Sequence, residues 1–273
     1  MRRYHTPKGG LPDQSQRLYA PARFTSSHAV IPAHAMTDIV TSRLPDWEGS
    51  RAWVLARPLS GFAETFAWLI VETAPGGGSS APEPDPRGEC VLFVTDGTPV
   101  LTIAGTTHAL GPGSFAYIPP GEDWTIANSS NAPASFHWIR KAYDPVPGLA
   151  PPPPLVTHDD AVPAEPMPGT SSWVTTRFTD ADDMRHDMQV NIVTFQPGGR
   201  IPFAETHVME HGIYILQGRA RYLLNTEWVD VGPGDFLWLR AFCPQACEAT
   251  SDEPFRYLLY KDINRHPKLR IIP

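Results

Sequence analysis

The stretch ETHVMEHGIYILQGRARYLLNTEWVDVGPGDFLWLRAFCPQA, residues 205–246, decides the fold. Within it GIYILQG (212–218), RARYLLN (219–225) and DFLWLR (235–240) are short runs of Ile, Tyr, Leu, Phe and Trp divided by Gly, Asn and Pro. That pattern belongs to strands and turns rather than to helices. A constant offset of 121 residues lays GPGDFLWLRAFCPQ (232–245) on GPGSFAYIPPGEDW (111–124), and GIYILQG (212–218) on VLFVTDG (91–97), without a gap. One β unit therefore occurs twice along the chain.

Further strand candidates lie at FAWLIVETA (66–74), CVLFVTDG (90–97), PVLTIAG (99–105), FAYIP (115–119), NIVTFQPGG (191–199) and FRYLLYKD (255–262). Short strands at regular spacing between turn signals predict an all-β sandwich or barrel architecture. The length of 273 residues allows one large β domain or two smaller ones in tandem, and the repeat favours two. Nine prolines between Pro145 and Gly169 favour polyproline II over helix or ladder. The expected division is an N-terminal barrel with its extension over 1–144, a proline-rich linker over 145–169, and a C-terminal barrel over 170–273.

Twenty-two Lys plus Arg against 29 Asp plus Glu give a formal charge of −7, which argues against nucleic acid or an anionic membrane as partner. A small soluble partner is expected instead. Three cysteines, Cys90, Cys243 and Cys247, are too few for a disulfide framework and read as free thiols in a reducing compartment. The N-terminal residues 1–24 hold no apolar run of signal-peptide length, so the expected location is cytoplasmic.

Glu205, His207 and His211 share parity, so in an extended segment their side chains leave one face within reach of one ion. Cys243 and Cys247 flank Gln245 at i−2 and i+2, and a regular strand would put their thiols on its face; packing is the expected role. In the first half the same offset sets Pro84, Pro86, Cys90 and Trp124 opposite Glu205, His207, His211 and Gln245. No metal sphere survives there, and Trp124 is expected to fill the space of an ion. Tyr257 and Lys261 have even spacing on the last strand, and Tyr222 lies on the strand after GIYILQG. Glu210 reads as an outward carboxylate, and Asn191 as a residue within reach of a substrate.

The run from Glu205 to Gln245 resembles the paired motifs of cupins, small barrels that hold a metal inside. FAETHVMEHGIYILQG, GPGDFLWLRAFCPQA and YLLYKDINR further resemble the bicupin (S)-ureidoglycine aminohydrolase family. That resemblance spans the second half well and the first more loosely, and it rests on Gln245 standing where most cupins have a last histidine. It implies an all-β bicupin of two tandem double-stranded β-helix barrels, and Mn²⁺ held by Glu205, His207, His211 and Gln245. It also implies a homo-oligomer, and site roles for Tyr222, Tyr257 and Lys261. The implied reaction is hydrolysis of (S)-ureidoglycine to (S)-ureidoglycolate and ammonia in purine breakdown through allantoin. One carboxylate, one amide and two imidazoles suit Mn²⁺ better than a thiolate sphere would. Acid, base and carboxylate clamp all stay open for Lys261. A non-heme iron cupin dioxygenase and a noncatalytic ureide- or sugar-binding bicupin are the rival readings.

Overall fold

The computed structural model describes residues 2–5, 22–35, 42–58, 61–167, 170–263 and 265. Among them, regular structure is β-strand apart from one short 3-10 turn, Ala33–Ala35. The second half builds a sheet in the spatial order Arg23–Phe24, His28–Ile31, Phe236–Leu239, His211–Gln217, Phe255–Asp262, Met188–Phe195, Trp173–Arg177, Ala164–Pro166. A smaller sheet of Glu227–Val231, Ala220–Leu224 and Gln245–Ala249 faces it. In the first half a nine-stranded sheet centres on Gly88–Asp96, Ala134–Ala142 and Ala67–Ser79. The architecture is the expected all-β bicupin.

The repeat is visible in the backbone as well as in the letters. Left-handed residues recur at the same offset of 121 in Gly97 and Gly218, Ala104 and Asn225, Gly113 and Gly234, Gly121 and Phe242. Each pair closes a corresponding turn, so the two halves share turn geometry even where the side chain changes from Gly to Phe.

Strand pairing crosses the sequence divisions. His28–Ile31, from the N-terminal extension, pairs antiparallel with Phe236–Leu239 of the second half. Leu155–His158 pairs with Ser114–Ile118 of the first. The stretch 145–169 thus does form ladders, contrary to its proline content, because Leu155, Val156 and Thr157 follow the proline run and Ala164–Pro166 adds to an edge. Pro168 and Gly169, at its end, lie outside the described residues, as does most of the N-terminal stretch that was read for a signal peptide.

Alternation along the strands sorts the core. Ile213 and Ile215 turn into the second barrel with Tyr222, Leu237 and Tyr257. Their neighbours Tyr214 and Leu216 turn outward, onto Phe93, Phe115 and Trp68 of the first half. Strand His211–Gln217 is buried on both faces, which explains its unbroken apolar run. In the first barrel Trp124 is buried among Leu101, Phe136 and Trp138, its ring 6.3 Å from Trp138. Arg140, the counterpart of Lys261 at the same offset, pairs with Glu83. Two indole rings and an ion pair thus stand at the positions that carry Gln245, Leu259 and Lys261 in the second barrel.

Where the two halves meet, Gly212 has no room for a side chain: a Cβ there would stand 2.8 Å from Phe66 Cζ and 2.9 Å from Trp68 Cε3. Both are rigid rings in the shared core. Gly212→Ala is expected to cost about 1–3 kcal/mol, the range for overpacking. Urea denaturation of the variant against wild type measures it, and an unchanged midpoint would mean that the halves do not pack as described.

Candidate functional site

A cavity of about 240 Å³ opens into the second barrel and is lined by Glu205, His207, His211, Gln245, Tyr222, Tyr257, Lys261 and Asn191. It is smaller than the ~300–1,000 Å³ of drug-sized ligand sites and so suits a small molecule. Three neighbouring strands supply its wall by alternation: Trp173, Thr175 and Arg177; Asn191 and Val193; Tyr257, Leu259 and Lys261. Lys261 stands directly across from His211 in the ladder.

The ligand-type residues reach the cavity by a route the parity argument did not foresee. Residues 201–210 do not form a strand; instead the backbones of Glu205 and Gln245 exchange two hydrogen bonds of 2.9 Å as an isolated bridge. Phe242 N–H donates to the His207 carbonyl at 2.7 Å, tying the same loop down at a second point. Asn191 lies on Met188–Phe195, which Phe255–Asp262 separates from His211–Gln217.

The two imidazoles meet edge to edge, Nε2 of His207 3.1 Å from Nε2 of His211. His211 Nδ1–H donates to the Glu210 carbonyl at 2.9 Å, which leaves the Nε2 lone pair facing the cavity. Burial, with His207 beside it, pushes the His211 imidazole down to about 3. Burial and then Lys261 lower His207 as well, so both rings are neutral at physiological pH. Gln245 Nε2 lies 2.8 Å from His207 Nε2, and Tyr222 O–H donates to Gln245 Oε1 at 3.0 Å. A half-turn of that amide exchanges its two ends, presenting oxygen to the imidazole pair.

Burial alone raises the Glu205 carboxyl above its usual range, and burial then Arg177 lower the Lys261 ammonium. The donor set fits a divalent cation: two neutral nitrogens, an amide oxygen, and a carboxyl that a cation would return to its ionised form. Tyr222 and Tyr257 are fully buried with rings 6.2 Å apart, and burial raises both phenols well above their ordinary value.

The thiols are not part of this set. Cys247 is buried opposite Tyr222 in the core, Cys243 packs in the same cluster, and neither lines the cavity. Burial raises both thiols, which keeps them protonated.

Glu210 corrects the sequence reading. It is buried, not outward, because its carboxylate accepts from Glu64 N (2.6 Å), Thr65 N (2.9 Å), Thr65 Oγ1 (2.5 Å) and Trp238 Nε1 (2.5 Å). Two of these partner residues belong to the other half, so only long-range packing could reveal the role. Arg177 is the cavity residue that the sequence reading missed. Its parity with Trp173 and Thr175 was the available signal, but nothing in the letters tied that strand to the ligand loop.

A second grouping, His158, Asp159 and Asp160, has potential ligand atoms within 4.8 Å of one another. Asp159 already meets Arg256 at 2.9 Å, Arg2 at 3.0 Å and Tyr4 O–H at 2.7 Å. Its charge is thereby compensated, so the neutral lone pairs of the barrel cavity are the better cation site. The larger surface groove of about 510 Å³, lined by Arg23, His34, Arg219 and Asp230, lacks such converging donors. No helix among the described residues is long and apolar enough to cross a membrane.

Comparison with known proteins agrees with the repeat. The family described as Cupin domain matches residues 69–140 and again 191–260. The chain is 30% identical to the (S)-ureidoglycine aminohydrolase of Escherichia coli, over 83% of this chain and 86% of that protein. It is 31% identical to a probable (S)-ureidoglycine aminohydrolase of Oryza sativa, over 84% of this chain and 71% of the other. A solved structure from Pseudomonas aeruginosa, of a protein named for induction by glyoxylate, superimposes with a TM-score of 0.93 at 55% identity and full coverage of both chains.

Glu210→Ala leaves four donors without their acceptor, three of them in the other half. The expected cost is about 3–5 kcal/mol, as for the loss of one partner of a buried charged pair. Chemical denaturation of the two proteins side by side gives the number, and a loss below 1 kcal/mol would show that this clasp carries little.

Proposed function

The chain belongs to the cupin family and, within it, to the (S)-ureidoglycine aminohydrolases, and from that premise we propose that it hydrolyses (S)-ureidoglycine to (S)-ureidoglycolate and ammonia with a bound manganese ion. The observation that carries this reading is the convergence of His207 Nε2 and His211 Nε2, 3.1 Å apart, with Glu205, Gln245, Lys261 and two buried tyrosines on one small cavity.

Glu205, His207, His211 and Gln245 would hold the ion. Bound there, it supplies Lewis acidity and a template that fixes the substrate's hand. The chain's own groups do the rest. Trp173, Val193 and Leu259 make part of the cavity wall apolar, which limits water around the reacting carbon. Lys261, on the wall across from His211, carries the proton that accompanies departure of the amine as water oxygen takes its place on carbon. With the Gln245 amide turned toward the ion, Tyr222 would accept from its nitrogen, which frees the phenol O–H, and with Tyr257 it offers neutral hydroxyls that donate to substrate oxygens. Asn191 contributes a buried amide to the same wall.

The deciding experiment is ammonia release from freshly generated ureidoglycine with manganese-loaded and metal-free protein. Oxygen uptake without ammonia would favour the iron oxygenase reading. Tight binding with neither would favour a noncatalytic bicupin.

Metal analysis is expected to give one ion per chain, since Pro84, Pro86, Cys90 and Trp124 stand at the matching positions of the first barrel, and none in His211→Ala. Two ions per chain in wild type, or full occupancy in the variant, would overturn the ligand assignment. Lys261→Met keeps the stem and deletes the charge. It is expected to retain metal and melting temperature while turnover falls by about two to four powers of ten, the range for a general acid–base group. Wild-type turnover with metal bound would remove Lys261 from the chemistry.

A further inference from the structure

Arg177 ends strand Trp173–Arg177, pairs in register with Asn191, and lines the cavity beside it. Its guanidinium is only weakly engaged: Glu165 Oε2 lies 3.4 Å from Nη1 on a side chain that is 70% exposed, and Met167 Sδ lies 3.6 Å from Nη2. A guanidinium fork has five donors in a plane and stays charged, so most of its capacity is unspent on a residue that lines the cavity. Asn191 is 1% exposed, and its Oδ1 is a buried acceptor without a partner. A buried amide oxygen left so is costly unless a ligand N–H meets it. Side by side on one wall, the two residues therefore ask for a ligand with a carboxylate at one end and an N–H donor next to it.

We propose that Arg177 is the carboxylate-recognising residue of the cavity and that Asn191 Oδ1 accepts a ureido N–H of the same ligand. This rests on the aminohydrolase reading and deepens it by naming how a ureido acid is told from its neutral analogues. It also removes the clamp from the possible duties of Lys261, leaving that group to the proton. Lys261 is a compact point charge across from His211, whereas the planar fork of Arg177 matches both oxygens of a carboxylate at once. The carboxylate in turn reduces the repulsion between these two cations on one wall.

The test uses the full-length, manganese-loaded protein with N-carbamoylglycine, a stable ureido acid that lacks the leaving amine, and its neutral primary amide. Calorimetry on wild type is expected to show a preference for the acid of about 10–100-fold, the range for a charge-assisted bond pair. Arg177→Gln is expected to lose that preference and raise KM for ureidoglycine by a similar factor. Its kcat should stay within about threefold. Arg177→Lys should recover part of the affinity, and Asn191→Leu should weaken both ligands alike. An unchanged acid preference in Arg177→Gln, or a fall in kcat with KM preserved, overturns the proposal. If wild type releases no ammonia yet prefers the acid through Arg177, the aminohydrolase reading fails while the carboxylate site stands. Metal content and melting curves accompany each variant, and Arg177→Lys serves if the Gln variant does not fold.

Discussion

The fixing of residues 210 and 211 is the constraint on which the rest of the cavity depends. Glu210 gives its carboxylate to Glu64, Thr65 and Trp238 and its carbonyl to His211 Nδ1, while its amide donates to Asp262 at 2.5 Å. Backbone and side chain are thus both saturated at the entrance to strand His211–Gln217. The imidazole that follows has its tautomer decided and its ring angle set before any ligand arrives. Preorganisation of this kind is what a metal or a substrate requires, because the ordering cost is met at folding rather than at binding.

This clasp crosses between the two halves, so the first half helps to set the geometry of the cavity in the second. The first half supplies Thr65 to Glu210 and to the Tyr260 hydroxyl, and its Phe66 ring stacks on Tyr260 at 4.0 Å. Strand His28–Ile31 covers an edge of the second half's sheet, and Leu155–His158 covers one in the first. The second half's sheet is thus extended by a strand of the N-terminal extension and the first half's by a strand of the linker. A buried ion pair between Arg256 and Asp159, extended by Tyr4 and Arg2, seals the same junction near the chain's beginning.

The two barrels share their turns and differ in their interiors. The turns are equivalent, down to matching left-handed residues 121 positions apart. The interiors are opposite in kind. Where the second barrel has Gln245, His211 and Lys261, the first has Trp124, Cys90 and an Arg140 already paired with Glu83. A tryptophan in place of a glutamine exchanges an amide that could ligate for a ring packed on Trp138.

The sequence by itself determined the class, the repeat and the set of candidate ligands. Strand alternation, turn residues and an internal offset are local or self-referential signals, and a His-x-x-x-His beside a Gly-bounded hairpin is short enough to read directly. Even so, Glu205, His207 and His211 came together through a bridge to Gln245 and not through strand parity. Tertiary structure alone decided the direction of Glu210, the place of Arg177 on the cavity wall, the ladders within the proline-rich stretch, and the added edge strands. Each of these depends on contacts between segments far apart in the chain: Glu210 with Thr65, Arg177 with Asn191 and then Leu259, His28–Ile31 with Phe236–Leu239. Local periodicity states that a residue faces one side of a strand. Which sheet, cavity or neighbouring barrel lies on that side follows only from the packing that excludes water most completely.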